Sequence, residues 1–414
     1  MSELYDIFRE YPRISTDTRN IGAGSVFFAL HGANFDGNRF AADALAKGAA
    51  YAVVDDPAAV TGNRTLLVED TLGALQELAR EHRRRLALPI LAISGSNGKT
   101  TTKELVGRVL AERFEVHATH GNLNNHIGVP LTLLSMTRDT QFGIVEMGAS
   151  ACGEIALLAA IAEPNYGILT NIGHAHLEGF GGPEGVRRGK GELFDYLAQN
   201  GGRAFVPKED RLLTEMAAER CGLATEYYSI ALADGIGHHL EGDYNRFNIA
   251  AAVAVGQYFD IPGERIRHAI GSYIPDNNRS QRTETARNTL VVDCYNANPS
   301  SMRASVANFL AEAPGMHTRR LLILGDMLEL GEWSEREHAE IIRFAAQAPD
   351  AELMLVGQEF ARAYAGLDEQ SPRIALYPTR EELIAALRER PVGNALVLIK
   401  GSRGIGLEKV VGEL

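Results

Sequence analysis

PILAISGSNGKTTTKELVGRVLAERF, residues 89–114, reads as an apolar strand, a glycine turn and an amphipathic helix, the order a phosphate-binding βα unit requires. Gly95, Ser96, Asn97, Gly98, Lys99, Thr100 and Thr101 make the turn and the start of the helix. Successive backbone N–H groups and the helix N-terminus converge there, which makes an anion site. Lys99 is expected against the β and γ phosphates of ATP, and the Thr100 hydroxyl is expected to ligate Mg²⁺. The longer pattern GxxxxGK[ST] is not met, because Ile93 stands where its first glycine belongs, and the shorter GxxGKT form remains. A plain glycine turn capped by threonine is the competing reading; the flanking strand and helix weigh against it.

Outward from this loop, the chain divides into three α/β regions. Before it, the strand-like stretches SVFFAL (25–30), AAYAVVD (49–55) and TLLVED (65–70) flank a short helix around Ala41 to Lys47. This predicts a small α/β domain over residues 1–83. After it, GIVEMG (143–148) and YGILTNIG (166–173) are short continuous apolar strands, as in a parallel sheet covered on both faces. A central P-loop-type ATPase domain is expected over 84–286, closed by the helix NRFNIAAAVAVGQYF. Beyond the polar stretch IPDNNRSQRTETARN, the strands LVVD, LLILGD, ELMLVG and ALVLIKG alternate with helical segments, which predicts a Rossmann-like third domain over 287–414.

Composition narrows the function class. In 414 residues, 45% are apolar and 23% charged, the balance of a globular chain with room for several cores. A net charge of −12 disfavours nucleic acid, so a phosphate must be held by local groups. The run Arg83 to Arg85 is accordingly read as a solvated helix end at a domain junction. The amino terminus has early acids and no apolar h-region, and no run approaches the ~20 residues of a membrane span, so a cytoplasmic protein without membrane insertion is expected. Cys152, Cys221 and Cys294 are scattered and read as free thiols. Glycines 401, 404 and 406 spell GxxGxG, which is not the dinucleotide pattern GxGxxG.

Candidate metal ligands follow the loop. Glu146 ends an apolar strand, at the sheet edge where open α/β sheets bind ligands, and is a natural Mg²⁺ ligand; capping of the next helix is the alternative. The next strand delivers His174 and His176 to the same edge. Zinc is disfavoured, since no Cys or third His has suitable spacing. Lys190, in GVRRGKGELF, has Arg187 one turn earlier, and neighbouring positive charge lowers an amine's pKa. A neutral lysine can react with CO₂ to give a carbamate able to ligate a second Mg²⁺; a surface lysine is the alternative.

These residues resemble the Mur ligase family, ATP-dependent amide synthetases of bacterial cell-wall assembly, along essentially the whole chain. GSNGKTTTKEL is similar to the family's ATP loop, VEMGAS to its Mg²⁺ glutamate, and NIGHAHLEGF with GKGELF to its histidine and carbamylated lysine. The resemblance implies two Mg²⁺ ions, with Glu146 bridging, Thr100 on the first, and His176 and carbamylated Lys190 on the second. It implies catalytic roles for Lys99, His176 and Lys190, adenine contacts from Asn245 and Asn248, and a ribose contact from Asp293. Either Arg279 or Arg282 supplies an arginine contact to ATP.

The chain ends resemble the branch of the family that adds D-alanyl-D-alanine to a UDP-linked muramoyl tripeptide. Ser15, Thr16 and Asp17, with FFAL, Gly32 and Asp36-Gly37, look like its uridine-nucleotide domain, though Asn38 stands where histidine is usual. THGNLNNHIGVPLTLL offers Asn122, Asn124 and Asn125 to the nucleotide sugar and peptide. YNANP with Asn296 and Asn298, LGDMLELGE and IKGSRG are similar to that branch's carboxyl-terminal half. The chemistry implied is an acyl phosphate formed from the tripeptide carboxylate and ATP, then captured by the dipeptide amine. The rivals are a relative that adds a diamino acid to the dipeptide precursor, a folate-glutamate ligase, and a nucleotide-binding protein without catalysis. A monomer is expected, and the third residue of the peptide, diaminopimelate or lysine, is open.

Overall fold

The computed structural model describes residues 3–32, 35–275, 281–312, 319–368 and 370–414. Its centre is a six-stranded, all-parallel sheet in the order Ala224–Tyr228, Arg203–Pro207, Tyr166–Leu169, Ile90–Ser94, Phe142–Glu146, Val116–Ala118. The chain leaves Ile90–Ser94 toward one edge and later returns to its other side. That reversal opens a crevice at the carboxyl ends of the strands, where doubly wound sheets bind ligands. Strand Ile90–Ser94 is buried throughout: Ile90 and Ala92 face one apolar layer, Leu91 and Ile93 the other. The period-2 alternation of side chains is therefore present but hidden, because both faces are covered.

The first domain is a four-stranded parallel sheet, ordered Arg13–Ser15, Ser25–Phe28, Tyr51–Val54, Thr65–Leu67. Asn38, the departure from the family pattern, is buried and knits this domain. Its amide donates to Asp55 Oδ1 at 2.7 Å, and its oxygen accepts from the Asp55 N–H at 3.1 Å. The third domain is a six-stranded sheet ordered Gln281–Glu284, Asn288–Asp293, Ala395–Lys400, Arg319–Gly325, Ala351–Val356, Ile374–Tyr377, parallel but for the first strand.

Secondary structure runs across both expected boundaries. Gln281–Glu284 pairs antiparallel with Asn288–Asp293, so the third sheet begins before residue 287. The helix Thr71–Leu86 runs through residue 83 without a break. Its start is capped by Asp70, which accepts from the N–H groups of Leu72 and Gly73, a cap that stabilises by about 1 kcal/mol.

The basic end of that helix is exposed at Arg84 and Arg85, as expected, but not at Arg83. Arg83 is 8% exposed and donates to the carbonyls of Ala162 (3.0 Å) and Glu163 (2.9 Å) and to Asn165 Oδ1 (3.1 Å). Arg80 reaches Ala160 O, Arg84 pairs with Glu163, and the Arg85 guanidinium lies 4.2 Å above the Tyr5 ring. Cations thus meet the carboxyl-terminal carbonyls of the helix Glu154–Ala162, where its dipole is negative. Among the described residues, no helix is long and apolar enough to cross a membrane.

Candidate active site

A cleft of about 910 Å³ lies between the carboxyl edge of the central sheet and the third domain. The central domain lines it with Ser96, Asn97, Gly98, Lys99, Thr100, Thr101, Asn124, Asn125, Glu146, His176, Asn245 and Asn248. The third domain adds Asp293, Asn296, Asn298, Ser300, Glu329 and Lys400.

The loop owes its shape to Gly95, whose φ is +135°. A Cβ there would sit 2.0 Å from Thr170 Oγ1, so strand Tyr166–Leu169 and its continuation leave room for hydrogen alone. Lys99 begins the helix Lys99–Ala111, and its Nζ donates to the carbonyls of Gly95 (2.7 Å) and Ser96 (3.2 Å). The ammonium is thereby held over the loop, beside the N-terminus of the helix.

Asn245 and Asn248 border the cleft, yet both are buried and bonded within the protein. Asn248 accepts from Thr102 Oγ1 at 3.0 Å and donates to Asn245 Oδ1 at 2.7 Å; Asn245 donates to Glu241 O at 2.6 Å. Their amides brace the loop helix from the side of helix Asn245–Tyr258.

Glu146 is 2% exposed at the end of its strand. Thr100 Oγ1 donates to Oε2 at 3.0 Å and Asn124 Nδ2 to Oε1 at 2.8 Å, while the Glu146 N–H donates to Thr119 Oγ1 at 2.9 Å. Both carboxylate partners are neutral. A buried carboxylate without a countercharge is costly, and the oxygen donors beside it are those a hard cation such as Mg²⁺ prefers. The residues fit that ion. Capping of the following helix is not what Glu146 does, since that helix begins only at Glu154.

Lys190 does not line the cleft; it lies beneath it, 1% exposed, its Nζ donating to Ala149 O at 2.9 Å and lying 5.1 Å from the centroid of the Phe180 ring. Burial first, and the Lys99 charge second, hold its amine well below the ordinary lysine range. Arg187 is not the cause expected from sequence, because its guanidinium turns away to Glu219 at 2.5 Å. The surface-lysine alternative is excluded by this burial. His176 borders the cleft with Nδ1 bonded to Glu329 of the third domain. An ionised carboxylate can only accept, so Nδ1 carries the proton and Nε2 keeps its lone pair. Burial lowers the His176 pKa, opposed by Glu329, and favours this neutral ring. His174 lies outside the cleft lining, its Nδ1 3.1 Å from Glu337 and its N–H donating to Ser300 Oγ at 2.8 Å.

Asp293 reaches the cleft but is occupied: Lys400 Nζ and Ser305 Oγ both donate to its Oδ2 at 2.6 Å. Asn298 caps the helix Pro299–Ala311 and its amide donates to Asn97 Oδ1 at 2.8 Å, tying the third domain to the phosphate loop. Asn296 is exposed on the cleft wall. Arg282 does not line the cleft and pairs with Glu312 at 2.7 Å; Arg279 lies outside the described residues. Ser15, Thr16, Asp17 and Asn122 are not brought to the cleft. Asp17 is paired with Arg19 at 2.7 Å, which holds its carboxyl at about 2. Sequence reasoning gave no role to Lys400, Ser300 or Glu329. A lysine ending the apolar run ALVLI was the one signal available for the first, and nothing local marks the other two.

A nucleotide loop, a buried acid and a buried amine facing a third domain are the parts of an ATP-dependent ligase, and comparison with known proteins agrees: the chain belongs to the Mur ligase family. Its segments match the family descriptions "Mur ligase family, catalytic domain" over 10–83, "Mur ligase middle domain" over 93–235 and "Mur ligase, glutamate ligase domain" over 278–403. Among curated relatives, the UDP-N-acetylmuramoyl-tripeptide–D-alanyl-D-alanine ligase of Bacillus subtilis is 32% identical, covering 97% of this chain and 92% of its own length. The enzyme of the same name from Escherichia coli is also 32% identical, with 96% and 92% covered. A crystal structure of MurF from Acinetobacter baumannii superposes with a TM-score of 0.86 at 30% identity, over 97% of this chain and 93% of that one. MurF of Thermotoga maritima, in complex with ADP, gives 0.84 at 25% identity, over 100% and 98%.

Proposed function

We propose that this chain joins D-alanyl-D-alanine to UDP-N-acetylmuramoyl-tripeptide with cleavage of ATP to ADP and phosphate, in cytoplasmic synthesis of peptidoglycan precursors. The observation that carries the reading is the single cleft in which the Lys99 loop, Glu146 and the YNANP segment of the third domain meet. The tripeptide carboxylate attacks the γ-phosphorus and the bond to ADP breaks. The dipeptide amine then attacks the acyl carbon, and phosphate leaves as the amide forms. Both first reactants are anionic, so the site must neutralise and align them.

Lys99 supplies one fixed positive charge at the phosphate loop, and the backbone N–H groups at the start of helix Lys99–Ala111 supply the cradle, while those of Ser96 and Asn97 donate to Asn171 and hold the loop in place. Thr100 and Glu146 would hold one Mg²⁺, with His176 and a carbamylated Lys190 serving a second; bound there, the ions supply charge neutralisation between triphosphate and carboxylate. The depressed Lys190 amine is chemically suited to take up CO₂, since the neutral form is the nucleophile. Asp293, Asn245 and Asn248 border the nucleotide, while Ser15, Thr16 and Asp17 form the uridine end and Asn122, Asn124 and Asn125 the sugar and peptide path. The third domain, through Asn296 and Asn298, presents the amine and shuts water away from the acyl phosphate. The chain acts as a monomer.

Phosphate release decides the reading. Release from ATP with UDP-muramoyl tripeptide and D-alanyl-D-alanine together, and with neither alone, is expected. Release only with the dipeptide precursor and a diamino acid would move the chain to the neighbouring branch.

A further inference from the structure

The loop between the third domain's strand Arg319–Gly325 and its helix Ser334–Ala346 rests on the central domain's segment 174–182. Glu329 binds His176 through its side chain and accepts from the Glu178 N–H through its carbonyl at 3.4 Å. Both meeting residues are left-handed, His176 with φ 53° and Glu329 with φ 62°, and neither is a glycine. Side chains rarely adopt that conformation, and it persists where surrounding contacts over-determine it. Four residues on, the Trp333 indole lies 3.1 Å from where a Cβ on Gly182 would stand, and Gly182 caps the helix that carries Lys190. Phe180, within the same segment, faces the Lys190 amine.

We propose that Glu329 is a positioning residue: the third domain delivers its carboxylate to His176, so the phosphate-handling face of the cleft is completed only when that domain is docked. The proposal rests on the ligase reading above. Its physical content is a tautomer and a location. Glu329 fixes the proton on Nδ1, points the Nε2 lone pair at the cleft, and holds the backbone of 176–182 over Lys190. An undocked third domain leaves the ring free to turn, which couples delivery of the amine to readiness of the phosphate site.

Trp333 is the chain's single tryptophan and sits inside this contact, so its fluorescence reports docking directly. The Glu329 side chain is 62% exposed, so its removal leaves the core intact. For Glu329→Ala, kcat is expected to fall roughly ten- to hundredfold with KM for ATP little changed, and acrylamide should quench Trp333 more strongly in the presence of ATP. Glu329→Gln, which keeps an acceptor for Nδ1–H, should restore the parental quenching and most of kcat. An alanine variant quenched like the parent, or one whose lost kcat glutamine does not restore, overturns the proposal. A parent that releases no phosphate with tripeptide and D-alanyl-D-alanine refutes the ligase reading instead, and the quenching comparison still decides whether Glu329 holds the contact.

Discussion

The phosphate loop and the Ser15–Asp17 segment of the first domain are both polar, yet they are held in opposite ways. The loop is fixed by partners distant in sequence: Thr100 by Glu146, Thr102 by Asn248, Asn97 by Asn298. Asp17 is fixed by its neighbours, through Ser15 and Arg19, and Arg19 is 89% exposed. Groups that act on a transition state need placement within a fraction of an ångström, which only interlocking elements supply. Groups that recognise a substrate's far end, the part proposed for Ser15 to Asp17, tolerate a local turn.

The comparison breaks most decisively at Lys99. Lys99→Ala should lower phosphate release by about 10²–10³-fold while the melting temperature stays within a few degrees; a variant with near-parental turnover would remove the loop from the chemistry. Lys190→Ala should cost about 100-fold and recover in part with acetate or formate, which can replace the carbamate oxygens. Full activity without the added acid would end the carbamate role. At Gly95 the expected damage is to stability: alanine should destabilise by about 2–4 kcal/mol, read by urea denaturation. Asp17→Ala is the smallest change, with unchanged stability and kcat and about a tenfold rise in KM for the nucleotide substrate. Because Arg19 depresses the Asp17 pKa to about 2, the Asp17–Arg19 interaction is present above the ordinary carboxylate value and lost only as pH falls through about 2. That KM should therefore be flat across neutral pH; dependence on pH there would show that Asp17 is not the group in contact.

The same contrast explains what could be read from the chain alone. The strand, turn and helix around Lys99 are contiguous, and a buried parallel strand writes itself as an unbroken apolar run, so the central and third sheets were legible. Gln281–Glu284 was not, because an edge strand exposed on one side reads as the polar stretch around it. Glu146 could be named from its position and Lys190 from the family resemblance, but the cause of the Lys190 shift could not. Sequence spacing pointed to Arg187, whereas burial is the first cause and the charge of Lys99, far off in the chain, the second. Glu329 was out of reach for the same reason: its meaning lies in a contact with residue 176 that no local pattern announces.

Helix Thr71–Leu86 imposes an order on biosynthesis. Its Arg83 finds its partners 79, 80 and 82 residues later in the chain. At a translation rate of 5–20 residues per second, the nascent helix waits about 4–16 s with its basic end unmatched. The first domain is thus finished only by the second, and a fragment released before residue 165 would carry an uncovered guanidinium and an open seam for chaperones to hold.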